Sequence, residues 1–167
     1  METSGLMIFA LNKRALEALH TQFRNKTVLK TYTALLDGIL YGKNEGHIEM
    51  KTRLDVDNRP HQIFDEKNGK LGITDWKKLR VETLTFTDKN GNEGKKKVTR
   101  IQFLPKTGRT HQLRIASADS HGLGIPIVGD SLYGKADCKR LYLHAQKITF
   151  EHPTSKRILT FESETPF

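Results

Sequence analysis

Apolar and polar positions along the 167-residue chain follow two periods, and the switches between them mark its elements. The opening stretch "SGLMIFALN", residues 4–12, is nearly continuous in apolar side chains, which predicts a largely buried strand. Asn12 stands where a helix N-cap belongs, with Leu16, Leu19 and Phe23 at helical spacing behind it. Over residues 28–36, "VLKTYTALL", β-branched and aromatic residues predict another strand that closes at Asp37-Gly38, a turn pair. Further strands are expected at residues 47–50, 62–64, 75–86 and 97–104, with the turn-rich runs "KNEG", "EKNGK" and "DKNGNEG" between them. After "PKTGRT" the pattern fits a short helix from His111 to about Ser120. Residues 140–151, then "HPTSKR" and "ILTFES", read as a closing hairpin. The sum is an α+β fold: a mixed, largely antiparallel β-sheet with flanking helices.

Composition bounds this picture without redrawing it. The length fits one domain, residues 1–167, and no repeat, Pro/Ser-rich linker or composition shift divides it. Twenty-eight Lys and Arg against nineteen Asp and Glu leave a formal charge of +9, which favours polyanionic partners such as nucleic acid, although a solvated basic surface would have the same surplus. The single Cys138 has no intramolecular disulfide partner, and no Cys/His spacing suits zinc, so neither a structural metal nor an oxidising compartment is implied. The longest apolar run, residues 6–11, is too short to span a bilayer, and no charged leader precedes it. A cytoplasmic setting is the expectation.

Candidate chemistry concentrates in "LPKTGRTHQLRI", residues 104–115. A loop containing Thr107 and Gly108 leads into a helix start, which places unpaired N–H groups beside Arg109, His111, Gln112 and Arg114. If the helix begins near Thr110, His111 and Arg114 share a face and reach one pocket. Spacing alone stops at a phosphate or carboxylate site, because surface ion pairs and a capping histidine would look similar.

The same run, followed by "GIPIVGDSLYG" and "RLYLHAQKITFEHP", resembles the signature of the RluA-type RNA pseudouridine synthases. "KTYTALLDG" and "NRPHQIFDEKNGKLGITDW" resemble two further patches of that family, in the family's order, so the likeness covers nearly the whole chain. It implies a catalytic domain that breaks the bond between uridine N1 and its ribose and rejoins the base through C5. The reaction uses an aspartate and no cofactor or metal. Access requires the base to be turned out of its stack into a closed pocket. By this resemblance Tyr32 packs on the flipped base and helps remove the C5 proton, and Arg114 pairs with the catalytic aspartate. Arg109, His111, Gln112 and Thr107 hold RNA phosphate or position the loop, and Leu141 and Leu143 form the apolar pocket floor. Asp130 belongs to a turn and is assigned no catalysis.

The chain departs from the family at its start. In the family the nucleophile lies in His-Arg-Leu-Asp, then two variable residues, then Thr-Ser-Gly; here Met1 and Glu2 fill the variable places before Thr3, Ser4 and Gly5. The aspartate position therefore precedes Met1. The expectation is a chain truncated within the catalytic loop, missing an upstream strand, inactive as written, with structured ribosomal or transfer RNA as its partner. A monomer is expected, with an exposed sheet edge as the route to any dimer. Two rival readings are a non-catalytic RNA-binding relative and a small-molecule enzyme that cradles an anion in "TGRTHQ". The second lacks a phosphate-binding glycine loop or metal spacing.

Overall fold

The structure, a computed structural model, describes residues 3–167. A single mixed sheet organises it, in the order β1-β7-β2-β6-β5-β3-β4, with β8 also on β7. The strands are β1 (Ser4–Gly5), β2 (Leu29–Leu36), β3 (Glu45–Leu54), β4 (Gln62–Phe64), β5 (Lys70–Thr87), β6 (Glu93–Pro105), β7 (Leu143–Glu151) and β8 (Ile158–Glu162). Helices α1 (Lys13–Arg24) and α2 (Gln112–Ala118) complete the elements. Pairing is antiparallel except for β1, which runs parallel to β7 through Ser4 opposite His144 and Gly5 opposite Ala145. No helix among the described residues is long and apolar enough to cross a membrane.

Period-two alternation divides the core into layers. Ala34 and Leu36 on β2 join Ile101 and Phe103 on β6, Trp76 on β5 and the buried face of α2 in the main cluster. Leu35, between them in sequence, points the other way, to Val98, Val128 and Cys138. A third cluster sets Leu19 of α1 against Val28 and Phe150. The expected helix after Asn12 is present: the Asn12 side chain accepts from the Ala15 amide at 2.9 Å, although Leu16 and Phe23 stay largely exposed and Leu19 alone of the three is buried. Strands β3, β5 and β6 run longer than the alternation implies, because antiparallel pairing carries each ladder on through polar residues, among them the buried Thr52 and Thr74, that the apolar pattern does not mark. The second helix ends at Ala118, short of Ser120, where the Asp119 backbone turns extended.

The opening strand is the element that differs most. Only Ser4–Gly5 pairs; Met7, Phe9 and Leu11 are exposed, while Ile8 and Ala10 turn inward to the α1 cluster. The reason is competition for one edge. Leu6 donates its amide to the Ala145 carbonyl at 2.9 Å, but one residue further the Ser163 amide takes the Gln146 carbonyl at 2.8 Å. From Lys147 onward β8 occupies the same side of β7, so residues 7–11 alternate without a ladder.

Candidate active site

The middle of β2 is the floor of a cleft of about 270 Å³. Tyr32 sits between Phe103 of β6 and Ala145 of β7, and a bulge between Thr31 and Tyr32 shifts the register where the strand enters the cleft. Lys30 and Leu143 continue that wall, the loop of residues 105–109 with His111, Leu113 and Arg114 forms the other, and Thr3 lies at the rim. Burial pushes the Tyr32 phenol above its ordinary value, so it is a neutral hydroxyl at physiological pH. Burial lowers Lys30, whose ammonium donates to the Thr107 carbonyl at 3.3 Å.

Gln112 braces the loop. Its side-chain oxygen accepts from the Thr107 hydroxyl at 2.8 Å and from the Arg109 amide at 2.9 Å. Its Nε2 donates to the Ile73 carbonyl at 3.0 Å and the Thr74 hydroxyl at 2.9 Å. The Thr107 hydroxyl also accepts from the Ile73 amide at 2.8 Å. Both side chains are buried and bonded inside the protein, where they brace the loop while also lining the cleft. One loop amide, that of Arg109, is thereby committed, so the anion cradle expected at the helix start is partly filled by Gln112 itself. Arg109 anchors its Nε on the Leu71 carbonyl at 2.9 Å. His111 adopts a left-handed backbone, φ 53°, and its Nδ1 lies 3.0 Å from the Tyr133 hydroxyl, which accepts from the Gln62 amide at 2.7 Å.

Arg114 and His111 do line one pocket, as their spacing implies. The structure gives Arg114 a carboxylate the resemblance did not provide for. Its Nε and Nη2 donate to the two oxygens of Asp130 at 2.8 and 2.6 Å, a bidentate fork. Asp130 has no solvent exposure and also accepts from the Leu132 and Tyr133 amides at 2.9 and 3.0 Å. Burial drives its carboxyl up, but the Arg114 fork and those two amides outweigh burial and hold it below the ordinary range. Gly129 makes the turn possible: at φ 72° a Cβ would meet the Arg140 carbonyl at 1.9 Å. The turn reading of Asp130 stands, with the added task of orienting Arg114.

Thr3, Ser4 and Gly5 dock beside the cleft. Arg140 Nη2 donates to Ser4 Oγ at 2.9 Å, which leaves the hydroxyl proton for His144 Nδ1 at 2.9 Å in preference to the Leu143 carbonyl at 3.4 Å. His144 Nε2 in turn faces the Ser163 carbonyl at 3.3 Å. Gly5, at φ 102°, presses on β7 so closely that a Cβ would lie 2.3 Å from the Ala145 oxygen. Leu143 lines the cleft as expected, whereas Leu141 is buried in the main core and does not, a correction that follows from its place ahead of β7. Among the described residues the cleft lining holds no carboxylate. No group of three or more His, Cys, Asp or Glu is placed there to hold a metal.

Sequence reasoning missed three participants. Lys30 was reachable, since it lies two residues before Tyr32 on the same strand. Arg140 and His144 carried no local signal, because Ser4 lies 136 and 140 residues away from them along the chain.

A profile of the RNA pseudouridylate synthase family matches residues 1–119. The chain belongs to that family. It is 38% identical over 173 residues to the dual-specificity RNA pseudouridine synthase RluA of Haemophilus ducreyi, covering all of this chain and 71% of that protein. It is 35% identical to the ribosomal large subunit pseudouridine synthase C of Rickettsia felis, of which it spans 51%. Among solved structures, human RNA pseudouridylate synthase domain containing 1 superposes with a TM-score of 0.73 at 29% identity, over 95% of this chain and 63% of that one. Within the family the chain is of the RluA type.

Proposed function

We propose that this domain isomerises uridine to pseudouridine in structured ribosomal or transfer RNA, holding the flipped base in the cleft over Tyr32 and Leu143. The carrying observation is the cleft itself: an apolar floor, a neutral phenol and a bidentately oriented arginine converge in one space that Thr3 also lines. In this reading Tyr32 stacks on the base and its hydroxyl assists proton removal from C5. Arg114, held in orientation by Asp130, is the residue that pairs with the aspartate nucleophile of the family reaction. Arg109 and His111 contact phosphate, which orients RNA without reading its sequence.

The experiment is tritium release from RNA labelled at uridine C5, with transcribed ribosomal and transfer RNA as substrates. Binding of these RNAs is expected, and tritium release that Tyr32→Phe or Arg114→Lys abolishes without loss of binding supports the reading. Release unchanged in both variants, or no binding of either RNA, would overturn it.

A further inference from the structure

Beside the cleft lies a second groove of about 270 Å³, and Lys30 and Pro105 belong to the walls of both. Four lysines converge on it: Lys26 after α1, Lys30 at the start of β2, Lys106 after β6 and Lys147 on β7. They come from four separate segments and are brought together by the sheet order β7-β2-β6. Among the described residues, no carboxylate lines the groove. Lys106 and Lys147 do carry ion pairs across its rim, to Asp75 at 3.0 Å and Glu162 at 2.6 Å. Both pairs are solvent-exposed, and exposed pairs exchange readily for a stronger anion. Lys26 holds a left-handed backbone, φ 59°, where the chain turns from helix to strand, and this places its side chain on the groove wall.

We propose that this groove binds the phosphodiester backbone of the RNA strand flanking the nucleotide held in the cleft. The inference rests on the RNA reading above and adds the path of the strand. From the cleft, the backbone passes Lys30 and runs between Lys106 on one side and Lys147 on the other, toward Lys26. Threonines complete the site chemically: Thr31 and Thr149 in the groove wall offer hydroxyls to phosphate, while Val28, Leu29 and Leu104 give an apolar base for ribose. Cations with flexible stems and neutral hydroxyl donors, without a carboxylate among the described lining, suit the phosphodiester backbone.

The test compares two triple variants of equal charge change. K26Q/K106Q/K147Q strips the groove and leaves Lys30, which also touches the cleft, in place. K89Q/K95Q/K97Q removes three exposed lysines of the β5–β6 hairpin. Binding of a uridine-containing RNA hairpin is measured from 50 to 200 mM salt. Each phosphate contact on single-stranded RNA contributes a slope of about 0.7, so three contacts make about 2 in slope, or roughly 20-fold in affinity over that range. The groove variant is expected to lose that 20-fold salt sensitivity and the hairpin variant to retain most of it. Equal loss in both, or greater loss in the hairpin variant, overturns the groove. A wild-type chain that binds no RNA overturns the functional reading as well, so the two failures are distinguishable. Lysine acylation of the wild-type protein checks the result without relying on variants: RNA should protect Lys26, Lys106 and Lys147 and leave Lys89, Lys95 and Lys97 reactive. Polyglutamate that competes as well as RNA marks a general polyanion surface and also overturns the proposal.

Discussion

Replacing Asp130 with alanine is expected to be the most damaging single change near the cleft. The side chain has no exposure, accepts a bidentate fork from Arg114 and satisfies two backbone amides. Its removal leaves a guanidinium that is itself only 9% exposed without that carboxylate. Breaking one side of a buried pair costs about 3–5 kcal/mol. The cleft lets water reach Arg114, which favours the lower end of the range. For a domain of this size each kcal/mol lowers Tm by about 2–4 °C, so a loss of roughly 6–20 °C is expected.

Asp130→Asn separates charge from hydrogen bonding, because the retained oxygen still accepts from Leu132 and Tyr133. The pH dependence has a definite sign. The folded carboxyl titrates below the ordinary value, so its stabilisation is fully present above the unfolded value of about 3.9 and is lost as pH falls through the folded one. Wild type should therefore lose stability faster than D130N on acidification from about pH 5, and the gap between them should close. Urea unfolding at pH 7, 5, 4 and 3 measures this. A D130A protein within about 1 kcal/mol of wild type at pH 7, or parallel acid limbs for wild type and D130N, would refute the pairing as a stabilising contact.

Three further outcomes follow from the same geometry. Gly5→Ala should detach β1 without unfolding the domain, read as loss of hydrogen-exchange protection at the Leu6 amide, because its Cβ would meet the Ala145 oxygen at 2.3 Å. Gln112→Ala should cost about 2–3 kcal/mol in denaturant unfolding, since it takes the acceptor from the Arg109 amide and the 2.8 Å partner from the buried Thr107 hydroxyl. It should also loosen the loop of residues 105–111, seen as increased proteolysis there. Asn12→Ala should cost about 1 kcal/mol through loss of the cap on the Ala15 amide, and an unchanged urea midpoint would show that α1 is held by packing alone.

Much of the fold was legible from local pattern. The Gln62–Phe64 strand, the Asn12 cap and the closing hairpin follow from turn chemistry and periodicity that a few consecutive residues carry by themselves. The site was legible in part. Arg114, Tyr32 and Leu143 do share a cleft, and Gln112 and Thr107, which look like ligands in sequence, also brace its loop in space. A polar side chain beside a loop has the same appearance in either role. What distinguishes them is whether a neighbouring strand, here β5, presents backbone groups within reach.

The sequence by itself determined the alternation that builds the sheet, the caps and turns that break it, and the family to which the chain belongs. Tertiary structure alone decided which segment holds the outer edge of β7, and so why an apolar run such as residues 7–11 stays without a ladder. It also decided that Asp130 orients Arg114, that Ser4 is tied to Arg140 and His144, and that four scattered lysines share one groove. Periodicity and capping are settled within one or two turns of chain. Edge occupancy and buried-charge pairing are competitions between segments far apart in sequence, and they are settled only when those segments meet.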